Sequence, residues 1–456
     1  MHWTDIETAA DVCAAYPELV EQLRDDISVD TAGAAADVAC TAILEHYRDG
    51  HGADWLRADP PASGADTDAT ADRYADGWFN KKEFWHELER DADGHLRWDT
   101  VTPEGGKQFF CNLNRHMQMN HLFKVYRQTG NAKYIEALNR HFLDWLTFTA
   151  ERRELDYGKQ MQVALRVPVW ARIFYGTLTD PHVSEALHLL MLIHVPTQAR
   201  HVIANPLQNN GRTMTINALL HTALCWPEFT EAAEWERVGT ERLLAVTAEL
   251  IYPDGAAAEL TSTYHGVTRG MIDSAAAVLR RSGRQLPPVI ADKLRRAWGY
   301  TPNVLRPDGG MPLNNDSDRG NHTQTALRAA ERYTRPDWAF MATNGEQGDA
   351  PTAPPSRAYP WAGHVVTRSD WSRDAQWAFF DIGPWGTGHQ HNDKLHLSIH
   401  AHGRDLLVDA GRFWYEGGPI RTYALSGAAH NVVMLDGLGQ TRSEEHTSEL
   451  QSLLII

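Results

Sequence analysis

Reactive side chains concentrate in one stretch of the chain, Trp385-Gly-Thr-Gly-His389-Gln-His391-Asn-Asp393-Lys-Leu395, followed by Leu406-Leu-Val-Asp409-Ala-Gly411 and Ala429-His430-Asn431. Alternate side chains of an extended backbone point the same way, so His389 and His391 can converge on one metal or one substrate group. Asp409 and His430 would complete an N/N/O ligand set suited to Zn²⁺. The competing account is polar residues on the wet face of a sheet, since a chain with 23 His contains chance pairs. A second cluster lies upstream, in Gln208-Asn209-Asn210-Gly211-Arg212 and, after the turn Pro253-Asp254-Gly255, in Glu259-Leu-Thr-Ser-Thr-Tyr264-His265. Taken singly, the asparagines are helix caps and Tyr264 a packed ring.

The elements that must position these groups follow from hydrophobic periodicity. Residues 1 to about 345 read as helix after helix. In Leu113–Gln128 the apolar residues Met119, Leu122, Phe123 and Tyr126 recur at helical spacing, Thr129-Gly130 stops the run, and Asn131 caps the next. Further helical runs cover Gln160–Tyr175, His182–Ile193, Met214–Cys225, Thr230–Ile251, Thr268–Arg281 and Pro288–Trp298. Serial hairpins of this kind build a toroid or solenoid. After the Pro-rich Gly348–Ser356 the period changes to two, with Leu395, Leu397, Ile399 and Ala401 interleaving His396, Ser398, His400 and His402. That is an antiparallel strand pattern with one apolar face.

Composition narrows the function. The 456 residues carry 43 Lys+Arg against 59 Asp+Glu, a net charge of −16, with 43% hydrophobic and 22% charged residues, a globular balance. A negative chain without Lys/Arg runs is a poor nucleic-acid binder. No stretch reaches the eighteen apolar residues of a membrane span, and Met1–Glu7 shows no signal-peptide pattern. Four cysteines without a CxxC pair exclude a zinc ribbon and a disulfide framework, and are expected as buried thiols. The 16 Trp and 14 Tyr suit sugar stacking, although core packing accounts for most such rings.

Together the motifs resemble the heparinase II/III family of polysaccharide lyases, over about Leu96 to Leu435. The resemblance rests on Leu113-Asn-Arg115-His116, Tyr126-Arg-Gln-Thr-Gly-Asn-Ala-Lys-Tyr134, His389-x-His391-x-Asp393-x-Leu395, Leu407-Val-Asp409-x-Gly411, and Arg421-x-Tyr423 leading to His430-Asn431. It implies an α+β multidomain protein, with an incomplete (α/α) toroid followed by an antiparallel β-sheet domain of sandwich type. The segments would be an N-terminal helical and loop region (1–95), toroid (96–345), Pro-rich linker (346–357) and a partial β domain (358–441). By the same resemblance Tyr264 and His389 are the proton-transfer pair, and Asn210 with Asn209 beside it binds a uronate carboxylate. His391, Asp409 and His430 hold a structural zinc. Arg212 is a further substrate contact by the same resemblance, and Arg166, His265 and Trp385 are additional candidate substrate-binding residues. Many members carry Asn-His where this chain has Asn209-Asn210, a departure that resembles the heparan-sulfate-lyase branch.

The chemistry so implied is β-elimination of a 4-linked uronide. The C5 proton is weakly acidic, and amides bonded to the carboxylate stabilise the enolate that forms, one such donor being worth about 10²–10³ in rate. Positioned proton transfer adds about 10²–10⁴, with Tyr264 giving a proton to the departing O4 and His389 taking or relaying the C5 proton. The expected partner is an acidic polysaccharide or oligosaccharide, and Asn210 favours a heparan-sulfate type of low sulfation. The net charge of −16 fits a heavily sulfated polymer poorly unless a basic strip including Arg166, Arg212 and Arg269 overrides it. Alternatives are an alginate or other polyuronate lyase, an inactive sugar-binding protein, and a zinc hydrolase. The hydrolase draws on His389-x-His391-x-Asp393, but Lys394 stands where its signature has His, and alternating βα units are absent.

Arg442–Ser452 resembles a translated sequencing adapter, so 442–456 is expected to be non-native and the β domain truncated, with an exposed strand edge and poor solubility. Location is expected to be cytoplasmic as the chain stands, and periplasmic if its start is incomplete.

Overall fold

The computed structural model describes residues 5–81, 84–92, 94–102, 106–151, 160–413, 415 and 417–440, and the adapter-like segment 442–456 lies outside them. Helices come first. They are α1 (Ala9–Ala15), α2 (Pro17–Asp26), α3 (Ala36–Arg48), α4 (Ala69–Ala75), α5 (Gly106–Leu113), α6 (Met117–Thr129), α7 (Ala132–Glu151) and α8 (Gln160–Thr177). There follow α9 (Glu185–Ala204), α10 (Gly211–Cys225), α11 (Ala232–Leu250), α12 (Ser262–Arg281), α13 (Pro288–Val304), α14 (Thr323–Arg332) and α15 (Pro336–Ala342). By contact the chain divides into two compact units, residues 1–242 with 277–285, and 243–276 with 286–456.

Local chemistry sets the helix ends of the first unit. Thr8 and Asp11 form a capping box at α1. α6 stops at Gly130, which takes the left-handed φ of 71°, and Asn131 Oδ1 accepts the Lys133 amide at 3.1 Å to start α7. Leu113–Gln128, expected as one helix, is broken. His116 sits at φ 59° between α5 and α6, buried, with Trp170 Nε1 donating to its Nδ1 at 2.9 Å and Trp145 edge-on at 4.4 Å. Fixing that imidazole against two indoles overrides the periodicity. A hairpin of β1 (Trp78–Lys81) and β2 (Phe84–Glu87) also interrupts what read as helix and loop. Its aromatic residues Trp78, Phe79, Phe84 and Trp85 are strand formers.

In the second unit β3 (Arg357–Tyr359), β4 (His364–Arg368), β5 (Trp377–Asp381), β6 (His396–Ala401) and β7 (Arg404–Leu407) form one antiparallel meander in sequence order, followed by α16 (Pro419–Leu425). The period of two is borne out on β6, but its faces are reversed. His396, Ser398 and His400 are buried, whereas Leu397 and Ile399 are only partly covered. The register explains this, because His396, Ser398 and His400 pair with Asp381, Phe379 and Trp377, whose side chains are also buried. The core on that face joins Trp377 and Phe379 to Leu260, Tyr300, Val304 and Met311.

Cys40, Cys111 and Cys225 are buried thiols, as expected, and all four cysteines are free. Burial pushes the Cys40 thiol up to about 12. Seven tryptophans, Trp98, Trp145, Trp170, Trp226, Trp235, Trp338 and Trp377, are core rings rather than sugar platforms. Among the described residues no helix is long and apolar enough to cross a membrane.

Apolar side chains stand out of the sheet unit at Leu395, Leu406, Val408, Val433 and Leu435, the last 76% exposed. Such surface promotes association. Val433→Lys with Leu435→Lys should slow aggregation, measured by light scattering, with stability changed by no more than about 0.5 kcal/mol, as for most surface substitutions. Unchanged scattering would place the adhesive surface elsewhere.

Candidate active site and metal centre

Three buried segments of the second unit meet at the start of α12. Leu260, at φ 53°, turns the chain so that its carbonyl accepts Asn314 Nδ2 at 2.8 Å and Asn315 Nδ2 at 3.3 Å. Thr261 Oγ1 caps α12 by accepting the Tyr264 amide at 3.0 Å, and Ser317 Oγ adds to that cap by accepting the Ser262 and Thr263 amides. The loop carrying the histidines is strapped to the same place. Thr387 donates its amide to Ala258 O at 3.0 Å, Gln390 Nε2 donates to Glu259 O at 2.7 Å, and Asn315 Oδ1 accepts the His391 amide at 2.7 Å. Gly411, at φ 63°, passes so close to Ser317 O that a Cβ would sit 2.6 Å from it, which requires glycine there.

This scaffold brings Tyr264 and His389 together. Their rings stack with centroids 3.5 Å apart and 12° between planes. His389 takes the left-handed φ of 60°, a conformation that strains a residue with a Cβ and is held by the straps around it. Its Nδ1 lies 3.1 Å from Glu259 Oε1, and Glu259 is 2% exposed. The Tyr264 hydroxyl hydrogen-bonds the Tyr415 hydroxyl, to which Arg412 also donates, and Arg412 is anchored by Asp318. Burial pushes the Tyr264 phenol up to about 12, against the pull of the Arg412 cation. The pair can therefore present a protonated phenol beside an imidazole backed by a carboxylate.

His391, Asp409 and His430 are buried, with ligand atoms all within 4.8 Å of one another. His391 Nδ1 and His430 Nε2 have no hydrogen-bond partner among the described residues, although an unpaired buried nitrogen is costly. The other ring nitrogen of His391 is held 2.9 Å from Asp316 Oδ1, and Arg421 grips Asp316 through both oxygens at 2.6 and 3.0 Å. Burial tends to raise the Asp316 carboxyl, but His391 and Arg421 outweigh it and hold it below the usual range. A carboxylate behind a histidine is the usual outer support of a metal ligand, so the three residues fit a bound metal ion. Burial disfavours the charged His430 ring, yet its bond to Asp409 raises it overall. Asp393 is not in this ligand group: its side-chain oxygens have no hydrogen bond among the described residues, and burial pushes its carboxyl up to about 7. A second group, Asp308, His400 and Asp405, already surrounds the Arg306 guanidinium, which supplies the positive charge.

The remaining expected residues differ. Asn210 occupies the cap position of α10 but makes no side-chain capping bond, so capping does not account for its amide. Asn209 beside it is exposed at φ 47°, and Arg212 Nε donates to its carbonyl at 3.4 Å. Arg166, expected to touch substrate, is 1% exposed, bonded to Gln198 Oε1 and lying 4.8 Å over the Trp145 ring. Arg269 is likewise buried, over Trp298 at 4.0 Å, so neither arginine belongs to a basic surface strip. His265 is a core residue rather than a substrate contact. Its Nε2 lies 3.0 Å from Ala297 O, its Nδ1 accepts the Ala257 amide, and burial pushes it down to about 3. Trp385 is half-buried, with Lys394 Nζ 5.5 Å from its ring centroid. Glu259, Tyr415, Arg412 and the Asn314–Asp318 loop were not assigned roles from sequence. Only Glu259, five residues ahead of Tyr264, carried a usable signal, as a lone acid in an apolar run.

Comparison with known proteins identifies the family and the fold. The heparinase II/III N-terminus profile matches residues 19–335, and the heparinase II/III-like C-terminal profile matches 351–451. A heparin-sulfate lyase of Bacteroides stercoris is 23% identical over 385 residues, covering 77% of this chain and 56% of that protein. The heparin-sulfate lyase of Pedobacter heparinus is 23% identical over 424 residues, covering 88% of this chain and 64% of that protein. The chain thus spans less than two thirds of the length of these curated relatives. Among solved structures, heparinase III gives a TM-score of 0.74 at 19% identity, covering 90% of this chain and 70% of that one. Heparan sulfate lyase HepC of Pedobacter heparinus gives 0.66 at 22% identity, covering 91% and 70%. These likenesses bear out the expected fold, helical hairpins of an (α/α) toroid followed by an antiparallel sheet. With its profiles matching most of the sequence, the chain belongs to the heparinase II/III family.

Proposed function

We propose that this protein is a polysaccharide lyase that cleaves a 4-linked uronic-acid polysaccharide of the heparan-sulfate type by β-elimination. The observation that carries the proposal is the stacked Tyr264–His389 pair, a proton donor and a proton acceptor fixed side by side. The relatives named heparin-sulfate lyases support the substrate class. With its phenol up at about 12, Tyr264 keeps its proton at neutral pH and is the acid for the departing O4. Arg412, reaching Tyr264 through Tyr415, stabilises the phenolate as that proton leaves. His389 takes or relays the C5 proton, with Glu259 fixing its tautomer through Nδ1 and balancing the imidazolium that forms.

Zinc is the ion proposed for His391, Asp409 and His430, two imidazoles and a carboxylate. When bound, it supplies a fixed positive charge that ties together three separate segments next to His389. Every proton step falls to Tyr264 and His389.

Incubation with heparan sulfate should produce the ultraviolet absorbance of a C4=C5 double bond, and Tyr264→Phe should lower kcat by about 10²–10⁴ with an unchanged melting temperature. Sugar release without that absorbance would instead indicate hydrolysis. Because the raised pKa keeps the phenol protonated, activity should show no loss assignable to Tyr264 ionisation between neutral pH and about 10, the ordinary tyrosine value. A phenolate signal that appears near pH 8 and is absent from Tyr264→Phe would contradict the acid role. Metal analysis should find one zinc per chain, and a chelator or His391→Ala should lower the melting temperature. If His391→Ala and Tyr264→Phe melt alike, the two sites do not have separate roles.

A further inference from the structure

The second unit also contains a recess of about 240 Å³ whose lining includes Arg295, Arg296, Arg335, Arg357, Asn303 and Tyr359. Four guanidiniums around one recess are unexpected in a chain of net charge −16. Their partners neutralise them incompletely, and from outside the lining. Arg295 and Arg296 share Asp292 one turn away on α13, at 3.0 and 2.7 Å, and Arg335 pairs with Asp337 at 2.7 and 2.5 Å. Arg357 meets no carboxylate among the described residues. It donates to Asn303 Oδ1 at 3.2 Å and lies over the Tyr359 ring at 5.6 Å. Asp254, also in the lining, is committed to backbone: it accepts the Trp361 and Ala362 amides through Oδ2 and the Ala256 amide through Oδ1.

Tyr359 supplies the independent observation. The residue is 2% exposed, it lines the recess, and its hydroxyl has no hydrogen-bond partner among the described residues. A buried hydroxyl left unpaired is unfavourable until a ligand arrives to pair it. Guanidinium forks and a free O–H are donors, and what they jointly fit is an oxyanion. The recess is smaller than the roughly 300–1,000 Å³ of sites for drug-sized ligands, so it suits one acidic sugar residue rather than a length of chain.

We propose that this recess is a second binding site, separate from the Tyr264–His389 pair, for the sulfate or carboxylate group of an acidic sugar. The sugar as carrier rests on the lyase proposal, whereas the oxyanion chemistry rests on the recess alone. The test is calorimetric titration of the whole chain with N-sulfated glucosamine, glucuronate, inorganic sulfate and inorganic phosphate, none of which has a glycosidic bond to cleave. The acidic monosaccharides should bind, more weakly as salt is raised, and Arg357→Gln should weaken them at least tenfold. Tyr359→Phe should weaken them several-fold, and Tyr264→Phe should leave them unchanged. Arg357→Gln should also keep wild-type turnover of a short substrate, which separates this site from the lyase site. Undiminished binding in both Arg357→Gln and Tyr359→Phe would overturn the assignment, as would loss of binding in Tyr264→Phe. Inorganic sulfate binding as tightly as the sulfated sugar would overturn the sugar as carrier. Binding is read without turnover, so a chain with no lyase activity would still reveal whether the recess takes an oxyanion.

Discussion

The Leu260 carbonyl accepts two side-chain amides, from Asn314 and Asn315, and Asn315 in turn accepts the amide of His391. Through that one buried asparagine, the turn that starts the Tyr264 helix is tied directly to the loop bearing His389 and His391. The neighbouring residues add to the link. Asp316 donates its amide to His389 O and holds the His391 ring through its carboxylate, while Ser317 caps α12. Asn314 to Ser317 are almost fully buried, and each has hydrogen-bond partners, which is the condition under which a buried polar network specifies one arrangement. The Tyr264–His389 pair and His391 therefore share a support, and neither can shift without disturbing the other.

At Tyr264 two effects oppose each other. Burial and the carboxylates of Asp316 and Glu259 disfavour the phenolate, whereas Arg412 favours it, and the balance lies with burial. Were Arg412 dominant, the phenol would lose its proton too readily to serve as an acid at neutral pH. In the proposed reaction the arrangement keeps the proton until charge develops on a leaving oxygen, and the guanidinium stands one hydroxyl away to stabilise the result. Glu259 does the complementary work on the other ring of the stack, where the charge formed is positive.

What was legible in the sequence follows from this division. His389, His391, Asp409 and His430 stood out as closely spaced imidazole and carboxylate groups, whereas Tyr264 was singled out by the family resemblance. Helical periodicity and the change to period two gave the fold class. The support was hidden, because Asn314-Asn-Asp-Ser-Asp318 has the composition of a solvated turn and only tertiary burial distinguishes it from one. Tyr415 was hidden among 14 tyrosines. Arg166, Arg269 and His265 misled for the opposite reason: a charged or titratable side chain suggests a surface, yet indole faces and backbone carbonyls gave all three buried partners. At His116 two indoles decided against the periodicity, which only packing could reveal.

The reversed faces of β6 bear on the metal centre. A sheet that buries His396 beside Asp381, and whose next strand leads on to Asp409, concentrates polar groups where an ordinary sheet would place aliphatic ones. That is expensive unless the polar groups satisfy one another or an ion does so. His396 is satisfied by Ser398 and by the Asn431 amide, and Asp316 is satisfied by Arg421 and His391, which leaves without a hydrogen-bond partner, among the described residues, one imidazole nitrogen each of His391 and His430 and the two carboxyl oxygens of Asp393. A cation accepting both imidazole lone pairs would satisfy those two nitrogens and bring no new buried donor. With the proposed ion bound, the inward polar face of β6 and the ligand set would have one explanation: part of the sheet's apolar core is replaced by a metal-centred one, in the segment that must hold His389 in a strained backbone conformation.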